Sequence, residues 1–244
     1  MNLRQLSKTW DDFGQQDPLW AILSHEDKRG NRWDLEEFLQ TGRDEIGEAM
    51  AYVSEFQPDL PRGNALDFGC GVGRLSQALA AYFETVDGID ISESMIQQAR
   101  AINQRGAACR YHHNTAPDLG IFPDQEFDFL YSNLTLQHMP PALAHGYIRE
   151  LCRLLRPGGA LVFDIPVRPV RSRSQLGVAL SHVYRAARVA WLRQIRRQPV
   201  MDMYGTPAKQ AQRLVEDSGC RLVDTQKSGS AGPDWLCQRY CVVR

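Results

Sequence analysis

The sequence predicts an α/β fold in which a largely parallel sheet is covered by helices on both faces. Three observations predict it. Short apolar runs alternate with helical segments between residues 65 and 166. The first of these runs passes straight into a glycine-rich turn and then a helix. A late helix is followed by two more strand-like runs at residues 221–226 and 235–243. Alternating β and α elements put the connecting helices on the two faces of one sheet.

Residues 1–62 read as a helical cap rich in aromatics, among them Trp10, Phe13, Trp20, Trp33 and Phe38. Thr41 and Gly42 predict a break, with Asp44 and Glu45 as the acidic start of a new helix. Ile46, Met50, Val53 and Phe56 then recur at helical spacing, and Pro58 and Pro61 close the segment. Residues 63–166 read as the core. Strands are expected at 65–68, 86–90, 108–112, 127–132 and 160–166. Helices are expected at 73–83, from a Ser92 cap to about Arg105, and at 140–155, where Pro157, Gly158 and Gly159 end the last one. Residues 167–205 interrupt this rhythm as a helical insertion. Within 206–244, Thr206 is the expected cap of a helix with Pro207 at its first position. Ser218 and Gly219 end that helix. The final strand alternates in polarity and is expected to run antiparallel to its neighbour.

Composition is ordinary for a soluble globular chain of 244 residues: 43% hydrophobic, 23% charged, net charge −1. That balance gives no global attraction to nucleic acid or membrane. The first twenty residues lack a basic segment followed by an apolar run. The six cysteines (70, 109, 152, 220, 237 and 241) are scattered without a CxxC. Free thiols and a cytoplasmic location are therefore the expectation.

The most informative stretch is ALDFGCGVGR, residues 65–74. Gly69, Gly71 and Gly73 let the backbone turn tightly and approach a ligand without a Cβ in the way. The spacing is G-x-G-x-G, not the G-x-G-x-x-G of dinucleotide sites. Asp67 sits two residues before the first glycine, where its carboxylate would repel a pyrophosphate. It suits a ligand carrying ammonium and sulfonium charge, which favours S-adenosylmethionine over NAD. Asp90 ends the second strand, 17 residues after Gly73, where an acid can accept both ribose hydroxyls. Its competing role as a helix cap is already filled by Ser92.

These residues, with GIDIS, FDFLYSNLTLQHM and LLRPGGALVF, resemble the successive motifs of class I S-adenosylmethionine-dependent methyltransferases. The likeness is to the small-molecule branch that includes ubiquinone-biosynthesis-like enzymes. It covers about residues 60–166 and the C-terminal helix and strands. The resemblance implies a Rossmann-like, doubly wound sheet of about seven strands with the last one reversed. It implies S-adenosylmethionine as cofactor, with S-adenosylhomocysteine as product, lying across the ends of the first, second and fourth strands. Gly69, Gly71 and Gly73 would line its methionine part, Asp67 would hold its amino group and Asp90 its ribose. His113, Asn114 and Thr115 stand where the family usually has Gly-Asp-Ala, so Asn114 would face the adenine amino group. Ile91 would pack on adenine or serve in the core. Asn133 lies where the fourth strand meets the cofactor. Arg43 is a candidate for the cofactor carboxylate.

Methyl transfer is an in-line displacement in which the protein supplies alignment and desolvation. A general base is needed only for a protonated nucleophile. His138, just past the fourth strand, is the first candidate; its alternative is a helix-start histidine bonding a carbonyl. Asp164, ending the fifth strand, and Tyr204, before the last helix, are the others. Met201 and Met203 read as lid packing. His112 and His113 are adjacent on a strand, point to opposite faces and predict no metal site.

Between Val167 and Pro199 there are eight arginines and no acidic residue, leaving −9 on the remainder. Leu176, Leu180, Val183, Ala187 and Trp191 give part of this segment an apolar stripe. It can be a solvated helix, a lid whose arginines bind a carboxylate or phosphate, a peripheral contact with anionic membrane, or a contact with RNA. The leading expectation is a small-molecule methyltransferase, and the arginines point to an anionic acceptor. The rivals are an RNA or protein methyltransferase, a non-catalytic cofactor-binding subunit and a nicotinamide oxidoreductase. Oligomeric state is not legible.

Overall fold

The computed structural model describes residues 2–170 and 200–244. The expected helical insertion, its apolar stripe and all its arginines except Arg168 lie outside the described residues. Helices α1 (Leu3–Gln16), α2 (Pro18–Ile22) and α3 (Leu35–Ser54) precede the sheet. A reciprocal cap starts α1, in which Asn2 and Gln5 exchange side-chain and backbone bonds.

The expected break at Thr41 and Gly42 is absent. Helix α3 runs through both residues and begins instead at Asp34, whose carboxylate accepts from the Glu37 amide at 2.9 Å. Glycine is at position 42 for a packing reason. A Cβ there would lie 2.7 Å from the Arg74 carbonyl oxygen, so glycine lets α3 press against the start of α4 (Arg74–Leu79). Gly42→Ala would stabilise an unhindered helix by about 1 kcal/mol. Here the backbone clash reverses the sign, and a net loss of about 1–3 kcal/mol is expected by chemical denaturation.

The sheet contains β1 (Asn64–Phe68), β2 (Thr85–Asp90), β3 (Cys109–His113), β4 (Phe127–Ser132), β5 (Leu155–Pro169), β6 (Arg221–Ser228) and β7 (Trp235–Val243). Their order is β3-β2-β1-β4-β5-β7-β6. The first five are parallel, and β7 runs antiparallel to both β5 and β6. The reversed strand thus lies inside the edge, with β6 outermost. Helices α5 (Glu93–Ala101), α6 (Pro141–Leu154) and α7 (Ala208–Asp217) complete the layers. Ser92 caps α5 as the sequence predicts, accepting from the Met95 amide. The helix stops at Ala101, short of residue 105.

Two other expectations fail locally. β5 begins at Leu155, so Pro157, Gly158 and Gly159 lie in a strand and follow a helix that has already ended. A register shift opposite Phe127 and Phe129 accommodates them. Thr206 does not cap α7; Pro207 occupies that position without a side-chain bond. The Thr206 hydroxyl instead pairs with His145 Nε2 at 3.1 Å.

Strand alternation builds two cores. Leu66, Phe68, Leu130, Leu161 and Phe163 face α6 and α7 through Ile148, Leu151, Leu214 and Val215. Ala65, Phe129, Tyr131 and Val162 face α3, α4 and α5 through Ile46, Met50, Leu79 and Ile96. Phe13, Trp33, Phe38, Val72 and Met95 form a third cluster that fixes the N-terminal helices over the glycine turn. The strand order reverses its direction of growth at β1 and β4, and such a switch point leaves a crevice at the strands' carboxyl ends.

Candidate active site

The crevice is a cavity of about 620 Å³ lined by Gly69, Gly71, Asp90 and Asn133 at the ends of β1, β2 and β4. Residues 69–71 form its floor. The Gly69 and Cys70 amides both donate to the Ile89 carbonyl, at 2.8 and 3.1 Å. Gly69 (φ +79°) and Gly71 (φ +52°) adopt left-handed backbone, and added Cβ atoms would meet Thr135 and Ile22 at 2.1 and 2.6 Å. Gly73 does not line the cavity. A Cβ there would strike the Tyr111 hydroxyl at 2.5 Å, so its glycine serves packing beneath the turn.

Asp90 ties this floor to β2. One carboxylate oxygen accepts from the Gly71 amide and the other from Ser92, both at 2.9 Å. Each oxygen retains a lone pair, and the residue faces the cavity. Burial pushes its pKa up, against the pull of these amide donors. Ile91 lines the cavity while packing on the sheet core, so its two expected roles coincide. Asn114 also lines it. Its amide donates to the Asp118 carbonyl and accepts from the Ala116 amide, leaving one lone pair on the amide oxygen. That local turn carries Thr115 outward, where it is exposed and off the cavity wall.

Asp67 lies below the floor and is not on the cavity wall. One oxygen accepts from the Ser76 hydroxyl at 2.6 Å, and the other is buried without a partner. Burial pushes its pKa up to about 7. Arg43 is also elsewhere. It sits on the outer side of α3, bonded to Glu36 and Gln40. Two residues on, about 200° around the helix, Glu45 faces the cavity instead.

Glu45 is the centre of a network that sequence reasoning missed. It accepts from Arg74 Nη2 (2.7 Å), the Tyr131 hydroxyl (2.9 Å) and Asn133 Nδ2 (2.7 Å). Burial opposes its ionisation, but Arg74, Asn133 and Tyr131 together hold its pKa below the usual carboxylate range. Arg74 is 3% exposed and lines the cavity beside it. The available signal was the arginine closing the GVGR turn, together with a glycine three residues before Glu45 in α3.

His138 lies across the cavity in a short turn after β4. Its Nδ1 is 2.8 Å from the Asp202 carbonyl, so that nitrogen carries the hydrogen. Nε2 is then an acceptor, 3.2 Å from the Gln137 side-chain amide. The Trp10 ring meets the imidazole edge-on at 5.1 Å. Burial pushes its pKa below 6.5, keeping it neutral at pH 7. The histidine thus bonds a carbonyl through Nδ1, as its alternative reading expected, and lines the cavity.

The other two catalytic candidates are not on the wall. Asp164 is 2% exposed and engaged by Arg239 at 2.8 Å and by Ser228. Tyr204 donates its backbone amide to the Gln137 carbonyl. Its neighbours Met201 and Met203 line the cavity. His112 is bound to Asp87 and His113 to Glu93. Among the described residues no group of His, Cys, Asp or Glu is arranged to hold a metal ion, and no helix is long and apolar enough to cross a membrane. All six cysteines are free and buried.

Comparison with known proteins agrees with this geometry. Residues 66–163, from β1 to β5, match the family described as methyltransferase domain. Among curated relatives, 2-methyl-6-phytyl-1,4-hydroquinone methyltransferase of Synechocystis is 30% identical over 154 residues, 63% of this chain and 47% of that protein. Ubiquinone biosynthesis O-methyltransferase of Pseudomonas syringae pv. tomato is 31% identical over 133 residues, 54% and 56% of the two chains. The chain thus spans about half the length of these relatives. In architecture it is similar to magnesium protoporphyrin IX methyltransferase of Synechocystis, solved with bound S-adenosylhomocysteine, at TM-score 0.67 and 18% identity over 99% of both chains. A methyltransferase of Leishmania major gives TM-score 0.66 at 14% identity, over 98% of this chain and 82% of that one. These likenesses show that the described chain has the Rossmann-like fold of those structures.

Proposed function

We propose that the chain is an S-adenosylmethionine-dependent methyltransferase acting on a small, largely apolar molecule through a hydroxyl group. The observation that carries this reading is the cavity itself. Its wall combines the glycine floor and the Asp90 carboxylate with a neutral histidine whose Nε2, now held by Gln137, is the acceptor nitrogen. The residues fit the cofactor: Gly69 and Gly71 leave backbone open to it, and Asp90 keeps lone pairs for two ribose hydroxyls. Ile91 supplies an apolar face for adenine. When bound, the cofactor supplies an electrophilic methyl group on a sulfonium.

The chain's own part is orientation, exclusion of water and removal of a proton. Met139, Met201, Met203, Trp10 and Leu134 make an apolar acceptor wall. Sulfur side chains adapt to the shape of a bulky ring. His138 Nε2 would take the hydroxyl proton, with Nδ1–H held on the Asp202 carbonyl so that the tautomer stays fixed. The anionic acceptor suggested by the arginine-rich segment rests on residues outside those described. Arg168 is not on the cavity wall, and Arg74, the one described arginine or lysine that is, already faces Glu45. An apolar acceptor also accords with the hydroquinone and ubiquinone named for the relatives. We read the chain as a soluble cytoplasmic enzyme in which Trp10, Met201 and Met203 help frame the acceptor.

The test is transfer of a labelled methyl group to a panel of hydroquinones, catechols and carboxylates. Hydroxylated rings should be labelled and carboxylates not. His138→Asn should lower turnover about a hundredfold, the usual worth of a general base, while S-adenosylhomocysteine affinity holds. The wild-type rate should fall as pH drops through the His138 pKa, below 6.5. Cofactor binding without labelling of any acceptor would favour the non-catalytic subunit instead.

A further inference from the structure

Resting on the cofactor reading above, we infer that Glu45 and Arg74 together hold the amino-acid end of the cofactor. That end is a zwitterion, with an ammonium and a carboxylate on one carbon, so a matching site needs one anion and one cation side by side. Among the described lining residues this pair alone meets that need. Glu45 Oε2 and Arg74 Nη2 are 2.7 Å apart, and both residues line the cavity at the glycine floor. Asp90, the other carboxylate on the wall, belongs to the opposite side of the floor, at the end of β2.

Three further features make this a built site. Glu45 is fixed by Tyr131 and Asn133, each anchored on or just after β4. Tyr131 is in turn fixed by Arg239, which donates to its hydroxyl at 3.1 Å. Arg74 places Nη1 on the Thr41 hydroxyl at 3.2 Å, while its Nε is buried without a partner. Thr41 and Glu45 thus fix the plane of a guanidinium that lines the cavity and whose hydrogen-bonding capacity is not filled within the described residues. Third, Gly42 permits the close crossing of α3 and α4 that brings the two charges together. The residues expected in these roles, Asp67 and Arg43, lie beneath the floor and on the outer side of α3, respectively.

The experiment is calorimetric titration of the whole chain with two probes. S-adenosylhomocysteine carries the amino-acid end; 5′-methylthioadenosine keeps adenosine and sulfur but lacks it. Wild type should bind S-adenosylhomocysteine at least about thirtyfold more tightly, the gain expected of charge-assisted hydrogen bonds. Glu45→Gln should erase most of that ratio while leaving 5′-methylthioadenosine affinity unchanged, which also certifies the fold. Should an unpaired Arg74 prevent folding, the double variant Glu45→Gln, Arg74→Met removes both charges together and should give the same result. A variant that keeps the wild-type ratio, or loses both ligands equally, would overturn the assignment and leave the pair structural. Equal wild-type affinity for the two probes would overturn it as well. If wild type binds neither probe, the cofactor reading fails first and takes this assignment with it.

Discussion

Asp90→Ala is expected to weaken S-adenosylhomocysteine binding by at least about a hundredfold. The carboxylate has two functions at once. Its inner lone pairs hold the Gly71 and Ser92 amides, which fixes the glycine floor against β2. Its remaining lone pairs are the acceptors that the proposed function assigns to the ribose. Two hydrogen bonds to a charged acceptor are worth about 3 kcal/mol or more, which is about a hundredfold in affinity. Releasing the Gly71 amide adds to the loss by loosening the floor. Asp90→Asn should fall between the two, because an amide can serve only one of the two backbone donors. Calorimetry on both variants checks the order, and an Asp90→Ala protein that binds as tightly as wild type would place the ribose elsewhere.

Asp164→Ala should behave in the opposite way, with a large loss of stability and little loss of affinity. Asp164 and Arg239 pair across β5 and β7 with side chains 1% and 16% exposed. Removing the acid leaves a buried guanidinium uncompensated, a cost of about 3–5 kcal/mol. In a chain of this size that lowers the melting temperature by roughly 10 °C. Arg239 would still reach the Tyr131 hydroxyl, so the Glu45 network survives and S-adenosylhomocysteine affinity should change by less than about threefold. Thermal denaturation alongside calorimetry separates the two effects. A collapse of methyl transfer at unchanged stability would restore Asp164 to the catalytic role that its place at a strand end suggests.

The contrast between these two aspartates marks what was legible in the sequence. That Asp90, Ile91 and the first two glycines lie on the cavity wall was legible because the strand-to-turn pattern fixes where their backbone goes. The parallel sheet covered by helices followed from the alternation of strands and helices, and its antiparallel end from the polarity of β7. Which side of an element a residue faces is a different question. Asp67 and Asp164 both sit on sheet strands near the cavity, yet each points to a neighbouring side chain, Ser76 or Arg239, whose position depends on packing between distant segments. Arg43 failed for the same reason. Its helix was expected to begin near Asp44, whereas α3 starts ten residues earlier and turns Glu45 inward instead. Thr115 failed because Asn114 closes a local turn, and Gly73 because Tyr111 fills the space a side chain would need. His138 held its place because the turn after β4 can only sit at the carboxyl edge of the sheet.

The proposed function requires above all that the cavity between β1, β2 and β4 bind the cofactor. Titration of the wild-type chain with S-adenosylhomocysteine tests it most directly. The account predicts saturable one-to-one binding in the micromolar range, together with a rise in melting temperature that grows with ligand concentration. No heat and no thermal shift at millimolar ligand would contradict it, and would leave the glycine floor and Asp90 as parts of a fold whose ligand is something else.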